Sequence, residues 1–386
     1  MAKQFDQQVT QRLHTPKRDY NPQTCVIMAC KGAENGLERN IEAVLNQKYE
    51  KFHMIIVTDT TDDTAYSIAN SISTRKSKTK LQVCTSSKNP RASGKVSALL
   101  TALEIDDWKS EAYVIVDSDS RISADWLASL VNPLEDNSTG ATTGFRWYFP
   151  CQDFWSHVEA AWNAAGTNLL FDYHYNFPWG GAMAIRADTL REIDIRSVWE
   201  NAISDDLSLN SALREHGYGV MFLPQCCVAT YNQSNRKELM AWATRQITLT
   251  KVYLHKFWRY GLVAYAFFNF ITLLGFVCLL AGIFVSAAWY LPALLLFIPS
   301  LVGVYRSRQR RYTFKRAMHE FAEDFRCNSL FDALASLIVS WIMTYCIIKS
   351  ALTNEIEWRG RKYQLAKRTH NAAPRRVPET TLHEET

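Results

Sequence analysis

The run "AYVIVDSDSRI" ends in two carboxylates, Asp117 and Asp119, one residue apart. A strand that stops in such a pair allows two readings. The acids either close a turn or hold a hard cation such as Mg²⁺ or Mn²⁺, which takes carboxylate, water and phosphate oxygens in its shell. A cation held there would neutralise a bound diphosphate and stabilise it as a leaving group. DxD alone is a weak signal. Two further features strengthen it: Asp59 ends another apolar run, "FHMIIVTD", and an acid pair, Asp205 and Asp206, opens "SDDLSLNSALREHGY". Neither a P-loop nor a GxGxxG pattern is present, so a diphosphate would need neutralisation from other residues.

These acids need elements that bring them together. "TCVIMACKG", "FHMIIVTD", "KLQVCTS" and "AYVIVDSDS" read as strands. "GLERNIEAVLNQ", "DDTAYSIANSIS" and "GKVSALLTALEI" read as helices between them. That alternation predicts an α/β fold with a mostly parallel sheet. Ligands of such sheets bind beyond the carboxyl ends of the strands, and Asp59, Asp117 and Asp119 all fall at strand ends. An aromatic-rich stretch then leads into "NFPWGGAMAIR". Gly180 and Gly181 there fit either a tight turn or a close approach of backbone to a ligand.

Composition separates the chain into two parts. It has 386 residues and a formal charge of +5, but no charged residue occurs from Tyr260 to Tyr305. That run would make roughly 69 Å of helix, enough for two bilayer crossings of about 20 residues each, with a turn near Ser286–Trp289. A third apolar segment covers Leu330–Leu352. Its uncharged centre, Ala333 to Ile348, is only about 24 Å of helix against a hydrocarbon core of about 30 Å. It is therefore expected to lie in the interface or re-enter rather than cross. "HKFWR" and "RSRQRRYTFKR" (Arg306–Arg316) flank the spans and mark the cytoplasmic side. Beside a membrane span they read as lipid-facing anchors, and no nucleic-acid partner is expected. The expected layout is a polar segment at 1–24, a catalytic domain at 25–255 and a membrane region at 256–352. The apolar segments of that region are 261–285, 288–305 and 330–352, and a basic, then disordered, tail follows at 353–386. No signal-peptide core occurs in the first 24 residues. Nine scattered cysteines show no zinc or CxxC spacing and read as packing residues of a reducing compartment.

The stretches "ACKGAENGLERNIEAVLNQKY", "VTDTTDDTA", "GKVSAL", "VDSDSRI", "GGAMAIRADTL", "ISDDLSLNSALREHGY", "WATRQITLTKVY" and "WRGRKYQL" together resemble the membrane-bound inverting glycosyltransferases of family 2, within them the ceramide glucosyltransferase-like group. The resemblance implies an A-type nucleotide-sugar-binding domain, a UDP-sugar donor, a divalent metal and a lipid acceptor. Carried over by position, it implies that Asp59 contacts the uridine and that Lys95 lies near the donor diphosphate. It puts Asp117 beside the diphospho-sugar, makes Asp119 the metal ligand and Asp206 the general base, and gives Asp205 the role of orienting neighbour. The family's (Q/R)xxRW motif survives only at Arg245, assigned to donor binding, because Thr248 and Leu249 replace the Arg and Trp. Processive polysaccharide synthases use that Trp to support the acceptor sugar, so its loss favours a single hexose transfer onto lipid. The competing readings are an exopolysaccharide synthase and a membrane nucleotide-sugar-binding protein without turnover. The expected product is a glycolipid, made by an integral membrane enzyme whose catalytic domain faces the cytoplasm.

Overall fold

The computed structural model describes residues 9–10, 20–87, 89–150, 153–171, 176–231, 233–326 and 329–365. Most of the expected polar segment at 1–24 and the tail beyond 365 lie outside them. The first half alternates as its periodicity predicts. The elements are β1 (Thr24–Cys30), α1 (Leu37–Leu45), β2 (Phe52–Thr58), α2 (Thr64–Ser73), β3 (Lys80–Thr85), α3 (Gly94–Asp106) and β4 (Ala112–Val116). The chain continues through α4 (Trp126–Val131), β5 (Thr139–Thr143), β6 (Arg146–Tyr148), α5 (Phe154–Gly166), β7 (Ala182–Arg186), α6 (Ala187–Glu192), α7 (Ile195–Trp199), α8 (Asp205–Glu215), β8 (Gly219–Phe222) and β9 (Val228–Thr230).

Seven strands form one sheet in the order β3-β2-β1-β4-β7-β5-β8. All run parallel except β7, which is antiparallel to both of its neighbours. Because strand side chains alternate between faces, β1, β2 and β4 each supply two cores. Val26, Met28, Met54, Ile56 and Val114 pack on one face with α1 and α4. Cys25, Ile27, Ile55, Val57 and Ile115 pack on the other with α3 and α8. This three-layer burial is why these strands read as nearly continuous apolar runs. The reversal of β7 has a positional consequence: its first residues, not its last, lie at the rim where β1, β2 and β4 end. The Gly180–Gly181 pair therefore sits beside the acids that follow β4.

The second half is helical. α9 (Arg236–Tyr253) starts at a capping box made by Asn235 and Glu238. It ends at Leu254, which leaves the helical conformation at φ −128° and ψ 53°, and α10 (His255–Phe284) begins at the next residue. After a short turn at Ala287–Trp289 comes α11 (Tyr290–Ala317), followed by α12 (Ser329–Ala351). α10 and α11 are long and apolar enough to cross a membrane, and they extend beyond the expected 261–285 and 288–305. Side chains such as Phe267, Phe284, Leu291 and Leu301 are exposed along them. α12 differs, because Ala335, Val339, Ile342 and Cys346 bury one face against Val158 of α5 and Leu239 and Ala243 of α9. Its other face leaves Leu337, Trp341, Tyr345 and Ile348 exposed at helical spacing.

A two-stranded hairpin, β10 (Glu355–Trp358) and β11 (Arg361–Gln364), follows α12. Its two turn residues, Arg359 and Gly360, both have positive φ (51° and 75°), the geometry of a tight two-residue hairpin turn. The described cysteines are all unpaired and mostly buried, as packing residues would be.

Candidate active site

The turn after β4 is fixed by its neighbours. The Asp117 amide donates to the Gly181 carbonyl (3.3 Å), and the Arg121 amide to Ala229 (2.9 Å). Asn40 donates to the Ser118 carbonyl (2.8 Å), and the Ser118 hydroxyl to Glu34 (2.6 Å). Asp117 and Asp119 are thereby aimed into a cavity of about 1400 Å³.

That cavity gathers all the acids and bases singled out above: Asp59, Lys95, Asp117, Asp119, Asp205, Asp206 and Arg245 line it. α3 is capped by Ser93, which accepts from the Val96 amide (3.2 Å). Lys95 leaves its first turn to reach Asp117 (2.8 Å), the Gly180 carbonyl (2.9 Å) and Asp205 (3.1 Å). Ser204 caps α8, whose first two residues are Asp205 and Asp206. Asp205 points inward and is 3 % exposed. Its Oδ2 is near Lys95 but not aligned for a hydrogen bond. Asp206 faces the cavity. Its Oδ1 accepts from the Ser204 hydroxyl (2.5 Å) and the Leu207 amide (2.7 Å), and its Oδ2 meets the Gly180 amide only at 3.4 Å.

The two glycines are explained by the side chains packed against them. A Cβ on Gly180 would overlap the Asp205 carboxylate, and one on Gly181 would overlap the Trp179 ring. Only glycine lets the start of β7 pass this close.

Four cations not assigned from sequence complete the site. Arg146, at the start of β6, bridges Asp117 (2.8 Å) and Asp119 (2.9 Å) through one nitrogen. It lies over the Trp179 ring at 5.1 Å, and its buried Nε has no partner. Lys31 and Arg361 pair with Asp59 at 3.0 and 3.1 Å. Arg359 pairs with Glu34. Arg245 has no carboxylate partner among the described residues and lies over the Trp358 ring at 5.5 Å. Thr248 and Leu249, at the departed family positions, are buried packing residues. Trp242 stands at the cavity wall, edge-on to Tyr148 and Trp162.

The electrostatics follow from this arrangement. Burial opposes the Asp117 charge, but Lys95 and Arg146 overcome it and hold the carboxyl below its usual range. Burial prevails at Asp119 and raises it, only partly offset by Arg146. Asp205 is pushed up to about 6 by burial, against Lys95 and with help from Asp206 and Asp117. Burial works against the Lys95 charge too, yet Asp117 and Asp205 raise it above the ordinary lysine value. Burial pushes Arg245 down to about 10, with the Arg359 and Arg146 charges acting in the same sense. The donor set fits a hard divalent cation: two carboxylates open on the cavity, and their oxygens already converge on the positive Arg146 nitrogen.

The cavity does not end at the acids. It continues past Trp242 and Arg245 to Phe257, Trp258, Gly261 and Tyr265 of α10 and to Met343 and Ile347 of α12.

No curated protein matches the sequence. Among solved structures, the chain is similar to a mannosyltransferase, PcManGT, from Pyrobaculum calidifontis in complex with GDP-Man and Mn²⁺. Identity is 18 %, coverage is 91 % of this chain and 93 % of that one, and the TM-score is 0.48. The model of glycosyl transferase family 21, the ceramide glucosyltransferase-like family, matches residues 3–371, and the chain belongs to that family.

Proposed function

We propose that this glycosyltransferase moves one hexose from a UDP-sugar onto a membrane lipid, with inversion, to make a glycolipid. The observation that carries the reading is the single cavity, acidic and basic at one end and walled by apolar membrane-type helices at the other. A lipid acceptor needs both ends. Its hydroxyl must reach the sugar while its chains stay out of water, since each exposed CH₂ costs about 0.8 kcal/mol.

In the proposed reaction Asp59 contacts the nucleotide base, and Lys95 and Arg245 face the diphosphate. Asp119, with Asp117 beside it, would hold Mg²⁺ or Mn²⁺, and such an ion would supply positive charge to stabilise a departing diphosphate. Asp206 takes the proton of the acceptor hydroxyl through Oδ2, while Ser204 and Leu207 hold Oδ1. The hydroxyl oxygen bonds to the anomeric carbon as the carbon–phosphate oxygen bond breaks, and UDP leaves with the electron pair. One displacement inverts the centre. Asp205, beneath Asp206, positions Lys95. Trp242, Tyr148 and Trp162 offer an aromatic wall for the acceptor.

On this reading α10 and α11 cross the membrane, and the catalytic domain and Arg306–Arg316 face the cytoplasm. α12 lies in the interface, burying one face on the protein and presenting the other to lipid. The hairpin's bonds to Lys31 and Asp59 support a tail on the catalytic side. Incubating membranes that carry the protein with labelled UDP-sugars, then extracting into organic solvent, tests the function. A lipid bearing one hexose is expected. A water-soluble polymer, or no transfer from any UDP-sugar, overturns the reading.

A further inference from the structure

The C-terminal hairpin does more than follow the membrane helices. Trp358, Arg359, Arg361 and Tyr363 line the same cavity as the acids. The Arg359 guanidinium donates to the Lys31 carbonyl (2.8 Å), Lys31 donates back to the Arg359 carbonyl (3.0 Å), and the Gly94 amide donates to the Tyr363 hydroxyl (3.3 Å). Strand alternation sorts the hairpin into two faces: Arg361 and Tyr363 turn inward, while Lys362 and Gln364 pair with Glu355 on the other side.

Three observations converge on Arg359. Without the hairpin, the charged side chains lining the cavity are acidic in balance, a poor environment for an anionic donor; Arg359 and Arg361 bring them level. Second, Arg245 is a half-buried cation with no carboxylate partner among the described residues, and the Arg359 and Arg146 charges oppose its own. Three guanidiniums facing one space, of which Arg245 has no carboxylate among the described residues, suit an anion that can exchange with the Asp117, Asp119 and Glu34 contacts of the other two. Third, Arg359 sits at φ 51°, in the left-handed region that asparagine and glycine occupy at less cost. An arginine kept at such a turn position, with its head group directed to Glu34 in the cavity, is strained in a way the turn itself does not require.

Building on the reading of the cavity as a nucleotide-sugar site, we propose that Arg359 is a further donor-binding residue, carried by the hairpin to the diphosphate of the nucleotide sugar. Glu34 and the Lys31 carbonyl hold the guanidinium at the rim, and its planar donor fork suits paired phosphate oxygens.

The test is binding of UDP and of uridine to the full-length protein in detergent with Mn²⁺, alongside thermal melting. Arg359→Asn should weaken UDP about 10- to 100-fold, the range for losing charge-assisted hydrogen bonds. Uridine affinity should be unchanged and the protein should still melt cooperatively, because asparagine suits the turn and offsets part of what the lost Glu34 and Lys31 contacts contribute. Arg359→Lys should recover part of the UDP affinity, and Lys362→Ala, on the outer face, should bind UDP like the parent. UDP affinity unaltered in Arg359→Asn would overturn the proposal, as would equal losses for UDP and uridine. If the parent protein bound no nucleoside diphosphate, the reading of the cavity itself would fall with it.

Discussion

Two acid clusters sit at opposite edges of the same sheet and are satisfied by different chemistry. Asp106, at the end of α3, lies among the first residues of the parallel strands. It accepts from the Ser110 amide (3.0 Å) and hydroxyl (3.2 Å), the Tyr113 hydroxyl (2.6 Å) and His53 (2.9 Å). Cys25, His53 and Asp106 bring ligand atoms within 4.8 Å of one another, which by residue type alone suggests a metal site. Yet fixed donors already occupy the carboxylate. At the carboxyl edge, Asp117, Asp119 and Asp205 face Lys95 and Arg146, long cationic side chains beside a large cavity. Fixed donors make an acid part of the scaffold, whereas movable counter-charges leave it able to exchange partners with a ligand. Only the second kind can do chemistry.

Substitutions should separate the clusters by what they damage. The largest effect is expected at Asp119. Asp119→Ala should abolish transfer and the dependence of UDP binding on Mn²⁺ while melting normally, and chelation should silence the parent protein until Mg²⁺ or Mn²⁺ is restored. Activity that survives both treatments would remove the metal from the account. Next, Asp206→Asn should bind UDP-sugar normally and lose about 10²–10⁴-fold in rate, the usual contribution of a general base. Asp205→Asn should lose less; the reverse order in single-turnover assays would mean the base had been given to the wrong member of the pair.

Asp106→Asn should behave oppositely, losing about 1–3 kcal/mol of stability from donors left unpaired, with the rate per folded molecule retained. Denaturant melts paired with activity assays would detect any catalytic role. The smallest effect is in the pH dependence of stability. Asp205 is raised to about 6 when folded, so its contribution is full below pH 4 and lost as pH rises through 6. For Asp106, burial is outweighed by its hydrogen bonds from His53, Tyr113 and Ser110, and the carboxyl is held at about 2. Its contribution is present above pH 4 and lost as pH falls toward 2. Melting temperatures from pH 4 to 7 should therefore decline less in Asp205→Asn than in the parent; identical slopes would sink that assignment.

Much of the fold was legible because burial writes itself locally. β1, β2 and β4 are buried on both faces, so each reads as an apolar run ending at the rim, whereas β3, at the sheet edge, is partly exposed and reads as a mixed run. Gly217, at φ 80°, follows the end of α8 in the left-handed conformation that closes a helix. The reversal of β7 was not legible, since an antiparallel central strand is as apolar as a parallel one. The acids announced themselves by type and position, but their counter-ions did not. Arg146 lies inside the aromatic run "GFRWYFP", where a lone charge was the available signal. Arg359 and Glu34 are 325 residues apart, and no periodicity reports a pairing across that distance. The chain break at Leu254 is likewise a tertiary decision, made where α9 leaves the catalytic domain and α10 begins.

That distance between hairpin and rim also bears on the order in which the protein is made. Chains emerge amino end first, and domains tend to fold as they appear. The sheet, the acids and Lys95 are all synthesised before α10, but Trp358, Arg359 and Arg361 come only after both long helices. The cavity's last wall is thus added after the two helices long enough to cross a membrane have left the ribosome. A newly made sheet still waiting for its helices has an unfinished pocket, so maturation of the site is tied to completion of the two long apolar helices.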